Sequence, residues 1–145
     1  MSLARPPGGR EQSFLAFDFG TRRVGAASGN TVLGRAQPLK TLEATGEARM
    51  QAIARLVDEW RPDALVVGVP VHPDGAPHEN TARAQRFARQ LHGRFRLPVH
   101  EVDERWSTTE ALSEGARDVD AAAAAVILDQ YLRELAAAPH PHAST

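Results

Sequence analysis

The sequence contains no cysteine, which excludes disulfides, thiolate zinc sites and cysteine nucleophiles together. It contains one lysine, Lys40, against sixteen arginines. Such a skew can follow genome base composition. Arginine is also the better fork for phosphate, so where the arginines cluster matters more than their number. No apolar run approaches the roughly 20 residues that cross a bilayer. The first residues, "MSLARPPGGREQS", lack the apolar centre of a signal peptide. These absences point to a cytoplasmic protein with no membrane partner. The net charge of −1 argues neither for nor against nucleic acid. What is present is ordinary for a globular chain: 42% hydrophobic and 24% charged residues over 145 positions, enough for one domain with a real core.

Residues 1–13 and 138–145 are rich in Pro, Gly, Ala and polar groups and read as a disordered leader and tail, leaving 14–137 as a single domain. Within it, strands are expected at 14–19, 23–28 and 32–38, with Gly29-Asn30 as the hairpin signal and Pro38 as the end of the third. The small residues Gly25, Ala26 and Ala27 suggest tight packing. Met50, Ile53, Leu56, Val57 and Trp60 carry the spacing of an amphipathic helix over 47–60. "ALVVGVP", 64–70, is a continuous apolar strand of the kind buried on both faces of a parallel sheet. A helix at 80–92, a strand at 97–102, a short helix at 107–114 and a long one at 119–135 follow. In the last, Ile127, Leu128, Tyr131, Leu132 and Leu135 share a face. Three strands joined by short turns make an antiparallel meander. Two more strands, each after a helix, add in parallel by right-handed crossovers. The expected class is α/β, ribonuclease H-like: a mixed five-stranded sheet with helices on both faces.

The acidic residues then stand out. Asp18 closes a strand, "FLAFDFG", whose other residues ask for burial. Asp103 and Glu104 stand at the exit of the last strand, and Asp120 at the start of the long helix. Each has an ordinary reading: a turn acid, a partner for Arg105, an acid at a helix N-terminus. In a ribonuclease H-like sheet, however, the first strand is central and the final helix crosses over it, so all three positions can meet at one edge. Clustered carboxylates without cysteine suit hard cations, Mg²⁺ or Mn²⁺. Two such ions can activate water and stabilise the leaving oxygen of a phosphodiester.

Five stretches, "AFDFGTRRVGAA", "LVVGVPVHPDG", "NTARAQRFARQL", "VDERWSTTEA" and "VDAAAAAVILDQYL", occur in the order of the blocks of the YqgF family, also called RuvX, the pre-16S rRNA nuclease family. The resemblance runs from Phe14 to about Leu135. It implies a ribonuclease H-like fold akin to the Holliday junction resolvase RuvC, and two-metal phosphodiester hydrolysis. Asp18, Glu104 and Asp120 match the acidic positions and would be both catalytic and metal-binding. Asp103 is the alternative to Glu104; strand alternation sends the two opposite ways. One departure is the short "LSEGARD" stretch before Asp120, where the family has a longer Lys- and Gly-containing loop. Asp118 is the substitute if that shortening displaces Asp120.

The basic residues complete the picture. Arg22 and Arg23 follow the first turn and are candidates for positioning phosphate. Arg83, Arg86 and Arg89, with Arg94 beyond, form a stripe that suits a nucleic-acid backbone or a solvated helix face. Arg105 can bind phosphate or pair with an acid, and Trp106 is a core residue or a stacking platform. The N–H groups at Asn80 and Thr81 open a helix and can face an anion. His72 and His78 flank a loop, with a metal role as the lesser alternative. The implied function is 5′-end processing of precursor 16S ribosomal RNA, with structured RNA as partner and a monomer favoured over a dimer. The alternatives are a Holliday junction resolvase acting on branched DNA in recombination and repair, and a non-catalytic nucleotide- or nucleic-acid-binding module. "DFGTRRVG" also resembles the phosphate loop of actin-like ATPases, but those clamp nucleotide between two domains and this chain has room for one.

Overall fold

The computed structural model describes residues 11–72, 74–104 and 119–137. Strand β1 (Ser13–Phe19) is followed by β2 (Val24–Asn30) and β3 (Arg35–Leu42), then helix α1 (Gly46–Trp60), strand β4 (Ala64–Pro70), helix α2 (Thr81–Phe95), strand β5 (Val99–Glu104) and helix α3 (Val119–Ala137). The sheet order is β3-β2-β1-β4-β5. The first three strands pair antiparallel, and β4 and β5 add in parallel. This is the ribonuclease H-like arrangement, with β1 at the centre.

The period-2 alternation of β1 divides its side chains between two layers. Leu15 and Phe17, with Leu65, Val67 and Val69 of β4, pack on Ile53 and Leu56 of α1 and Phe87 and Leu91 of α2. Phe14 and Ala16, with Ala64, Val66 and Val102, pack on Ile127, Leu128 and Leu132 of α3. Tyr131 closes that layer with its ring edge-on to Phe14, centroids 5.2 Å apart. The alanine run of α3 has its own use: Ala124 and Ala125 lie against Ala27 of β2. Small residues on both sides let the helix come close to the sheet.

Three local expectations are corrected. Gly29 and Asn30 belong to β2, and the hairpin turn is Thr31–Gly34. Asn30 starts it: its carbonyl accepts from Gly34 N–H and its Oδ1 from Leu33 N–H, at 2.9 and 2.8 Å. The glycine that the turn requires is Gly34, at φ +71°. Pro38 does not end β3. It lies on the sheet's edge strand beside a register shift, where a missing N–H costs no ladder bond. Trp60, expected on the buried stripe of α1, is 38% exposed as the last residue of that helix. Near the amino end, Gln12 N–H bonds Thr31 Oγ1 at 3.0 Å and β1 begins at Ser13. No described helix is long and apolar enough to cross a membrane. The helix expected at 107–114 lies outside the described residues, as do 1–10 and 138–145.

Candidate active site

Because β1, β4 and β5 run parallel, their C-terminal ends share one edge of the sheet. Asp18 pairs in register with Gly68 of β4 on one side and Gly25 of β2 on the other. It follows the parity of Phe14 and Ala16, so it faces the α3 layer. Glu104 follows the parity of Val102 and faces the same layer. Asp103, one residue back, has the opposite parity and is exposed.

The two glycines make the site possible. A Cβ on Gly68 would fall 2.5 Å from Glu104 Oε2, and a Cβ on Gly25 would overlap the carbonyl oxygen of Asp120. One glycine therefore leaves room for the Glu104 carboxylate beside Asp18, and the other lets the first turn of α3 settle over β2. The packing read from Gly25-Ala26-Ala27 has this as its cause. Gly68 was signalled only by being a glycine inside an apolar strand.

The carboxyl groups of Asp18 and Glu104 are hydrogen-bonded to each other. Burial pushes Asp18 up to about 9; the charge of Glu104, the hydrogen bond to it and the charge of Asp120 add to the rise. Burial raises Glu104 too, while the bond from Asp18 works against that rise. The crowded, buried pair thus favours holding a proton between its two acids. Asp120 lies close enough for its charge to act on Asp18, and its Oδ2 is 3.3 Å from Arg23 Nε. That contact is half open to water and contributes at most about 1 kcal/mol. Among the described residues, no three carboxylate or imidazole groups converge closely enough to hold an ion as they stand.

A residue absent from the sequence expectations supports this edge from behind. Arg49 of α1 is 7% exposed. Its Nε donates to the Ala44 carbonyl and its Nη2 to the Thr21 carbonyl, at 2.9 and 3.2 Å, and its guanidinium lies 5.6 Å from the centre of the Phe19 ring. Burial pulls its pKa below the ordinary arginine value, yet the group stays charged. It ties α1 to the β1–β2 turn that carries Arg22 and Arg23. The available signal was its place on the helical stripe, four residues before Ile53.

The other candidates are spread out. Arg22 and Arg23 are exposed on the first turn. Arg83 and Arg86 line one cavity between α1 and α2, together with Arg94. Arg89 lines a separate cleft with His92 and Glu101, because each three-residue step along a helix drifts about 60° round its axis. The His72 and His78 rings stand 5.2 Å apart, and His78 Nδ1 accepts from Asn80 N–H. Asn80 precedes α2, and its Oδ1 accepts from Arg83. Arg105, Trp106 and Asp118 lie outside the described residues.

A family model described as "RuvX: Holliday junction resolvase" matches residues 12–134. A protein of Albidiferax ferrireducens named "Putative pre-16S rRNA nuclease" is 64% identical over 124 residues, covering 86% of this chain and 80% of its own. Proteins with the same name from Polaromonas sp. and Paraburkholderia phytofirmans are 62% and 53% identical, covering 86% and 87% of this chain and 90% and 91% of theirs. Among solved structures, Thermus thermophilus RuvC in complex with a Holliday junction substrate aligns with a TM-score of 0.52 at 14% identity, over 87% of this chain and 96% of its own. That likeness is one of fold.

Proposed function

The chain belongs to the RuvX family, and from that membership we propose that it is a metal-dependent endonuclease that hydrolyses phosphodiester bonds in precursor 16S ribosomal RNA near the mature 5′ end. One observation carries the reading: two hydrogen-bonded carboxyl groups, Asp18 and Glu104, held at the open edge of a central sheet with Asp120 beside them. Burying acids together is unfavourable unless something else repays it. The donor set consists of oxygens alone, which fits Mg²⁺ or Mn²⁺ and no softer ion. Asp18 and Glu104 would hold the metal once their shared proton leaves, and Asp120 would join them by exchanging Arg23 for it. A divalent ion bound there supplies charge to lower the pKa of water and to stabilise a phosphate oxygen. The chain's own residues do the rest. The sheet would fix where the acids stand, Gly25 and Gly68 would keep the space between them, and Arg22 and Arg23, exposed on the first turn, would meet a phosphate there. Work on precursor ribosomal RNA implies a cytoplasmic location.

The family's description favours one other substrate, the four-way DNA junction. Both are tested together. Purified protein is incubated with a precursor 16S fragment spanning the mature 5′ end and, separately, with a four-way junction, each with Mn²⁺ and with EDTA. The expected result is a cut in the RNA that EDTA abolishes, with the junction left intact. Cutting that persists in EDTA overturns the metal reading. A resolved junction with intact RNA overturns the substrate.

A further inference from the structure

The face of the sheet turned away from the acids carries a second feature. Between α1 and α2 lies a cavity of about 600 Å³. Its exposed basic lining is Arg83, Arg86 and Arg94, with the buried Arg49 behind them, and its apolar lining is the half-buried Phe19 and Met50 over the core residue Phe87. Glu47 stands in it as well, with both carboxylate oxygens bonded to Arg94 at 2.8 and 2.9 Å. Arg94 holds Glu47 below the ordinary carboxylate range. Among the described residues this is the one ion pair within the cavity.

We infer that this groove binds a single-stranded RNA segment next to the cut, through Arg83, Arg86 and Arg94 on its phosphates and the half-buried Phe19 and Met50 on a base. The inference rests on the nuclease reading and extends it to the substrate's form. Two observations select the occupant. Phe19 is the residue after Asp18, so the groove starts at the sheet edge where the acids stand, on the opposite face. A strand crossing that edge reaches both. The second is the mixed lining. Arginines alone would suit a duplex backbone equally well, but a duplex keeps its base faces stacked and has nothing to place against phenylalanine and methionine. An unpaired strand has both phosphates and free bases to offer. Glu47 occupies Arg94 until a phosphate replaces it, so it weakens binding.

The test measures fluorescence anisotropy of a labelled single-stranded RNA oligonucleotide, and of a blunt duplex of the same sequence, with protein carrying Asp18→Asn so that nothing is cut. Adding Arg83→Ala and Arg86→Ala should weaken single-strand binding and flatten its log–log salt dependence by about 1.4, from about 0.7 for each lost phosphate contact. Adding Glu47→Gln instead should tighten it several-fold. Arg55→Ala, an exposed charge on α1 outside the groove, should change neither. An unchanged slope in the double variant, or weaker binding with Glu47→Gln, overturns the groove. Duplex binding that falls by the same factor overturns the single strand as its occupant. Binding of a lone nucleoside monophosphate as tight as that of the oligonucleotide makes it a small-molecule pocket and overturns the inference too. Cleavage by the native chain, and its loss on Asp18→Asn, is scored separately, so the acids can stand where the groove falls.

Discussion

The proposed role of Asp18 sets stability and chemistry in opposite senses. Its carboxyl is raised by burial and by its acidic neighbours, and as an anion it is unfavourable in the metal-free protein. Asp18→Asn keeps the shape and a hydrogen bond and removes the charge. Cleavage should disappear, while thermal stability without metal rises by about 1 kcal/mol or more, the usual exchange at a site built for function. The sign with pH follows from the raised pKa. The contribution of Asp18 is full below the unfolded carboxylate value near 4 and is lost as pH rises towards about 9. The melting difference between Asp18→Asn and native protein should therefore widen from acid to mildly alkaline pH, as calorimetry in EDTA would read. A gap that narrows would refute the buried, crowded carboxyl. Glu104 and Asp103 offer a second comparison. Glu104→Gln should remove nearly all cleavage, and Asp103→Asn, on the opposite parity, should cost less than tenfold. Equal losses would mean that Asp103 also serves the site.

At the scale of elements, the site depends on how closely α3 approaches β2 and on what braces the first turn. Gly25→Ala places a methyl group on the backbone of Asp120 and Ala121, which a flexible side chain could evade but a helix terminus cannot. The expected cost is about 1–3 kcal/mol in denaturant unfolding, as for overpacking elsewhere, with a larger proportional loss of activity because Asp120 moves. Arg49→Met preserves much of the bulk of the side chain but leaves the carbonyls of Ala44 and Thr21 without their donor. That should cost a similar 1–3 kcal/mol. Restoration by Arg49→Lys should be partial, since one ammonium does not reproduce the planar fork. A native melting profile for Arg49→Met would show that the turn holds itself.

For the whole molecule the question is how many cuts one particle makes. The described residues bring acids together at one proposed site, and two symmetric cuts in a junction need two copies related by a twofold axis. The apolar stripe of α3 is spent within the chain: Ile127, Leu128 and Leu132 are buried against the sheet, and Tyr131 packs on Phe14. The expectation is a monomer at micromolar concentration in light scattering that makes a single cut in RNA. A stable dimer that leaves paired nicks in a four-way junction would reverse it.

The sequence by itself determined whatever depends on neighbours along the chain. The apolar run "FLAFDF" marked a strand buried on both faces with Asp18 near its end, and the spacing of Ile53 and Leu56 marked the inner side of α1. The element order led to a mixed sheet with β1 central, which lets the acids be expected at one edge. Local patterns also misled where a competing local geometry existed. Gly29-Asn30 looks like a turn, yet Asn30 only begins one and Gly34 completes it. Pro38 looks like a stop, yet an edge strand tolerates it. Only the tertiary structure decided the rest. It put Gly68 and Gly25 on either side of Asp18, brought Glu104 into hydrogen-bonding contact, set Arg23 against Asp120, buried Arg49 behind the turn, and parted Arg89 from Arg83 and Arg86. The reason is physical: a strand or helix pattern records what one segment must bury, whereas these contacts depend on register and close approach between segments far apart in the chain, which no local period encodes.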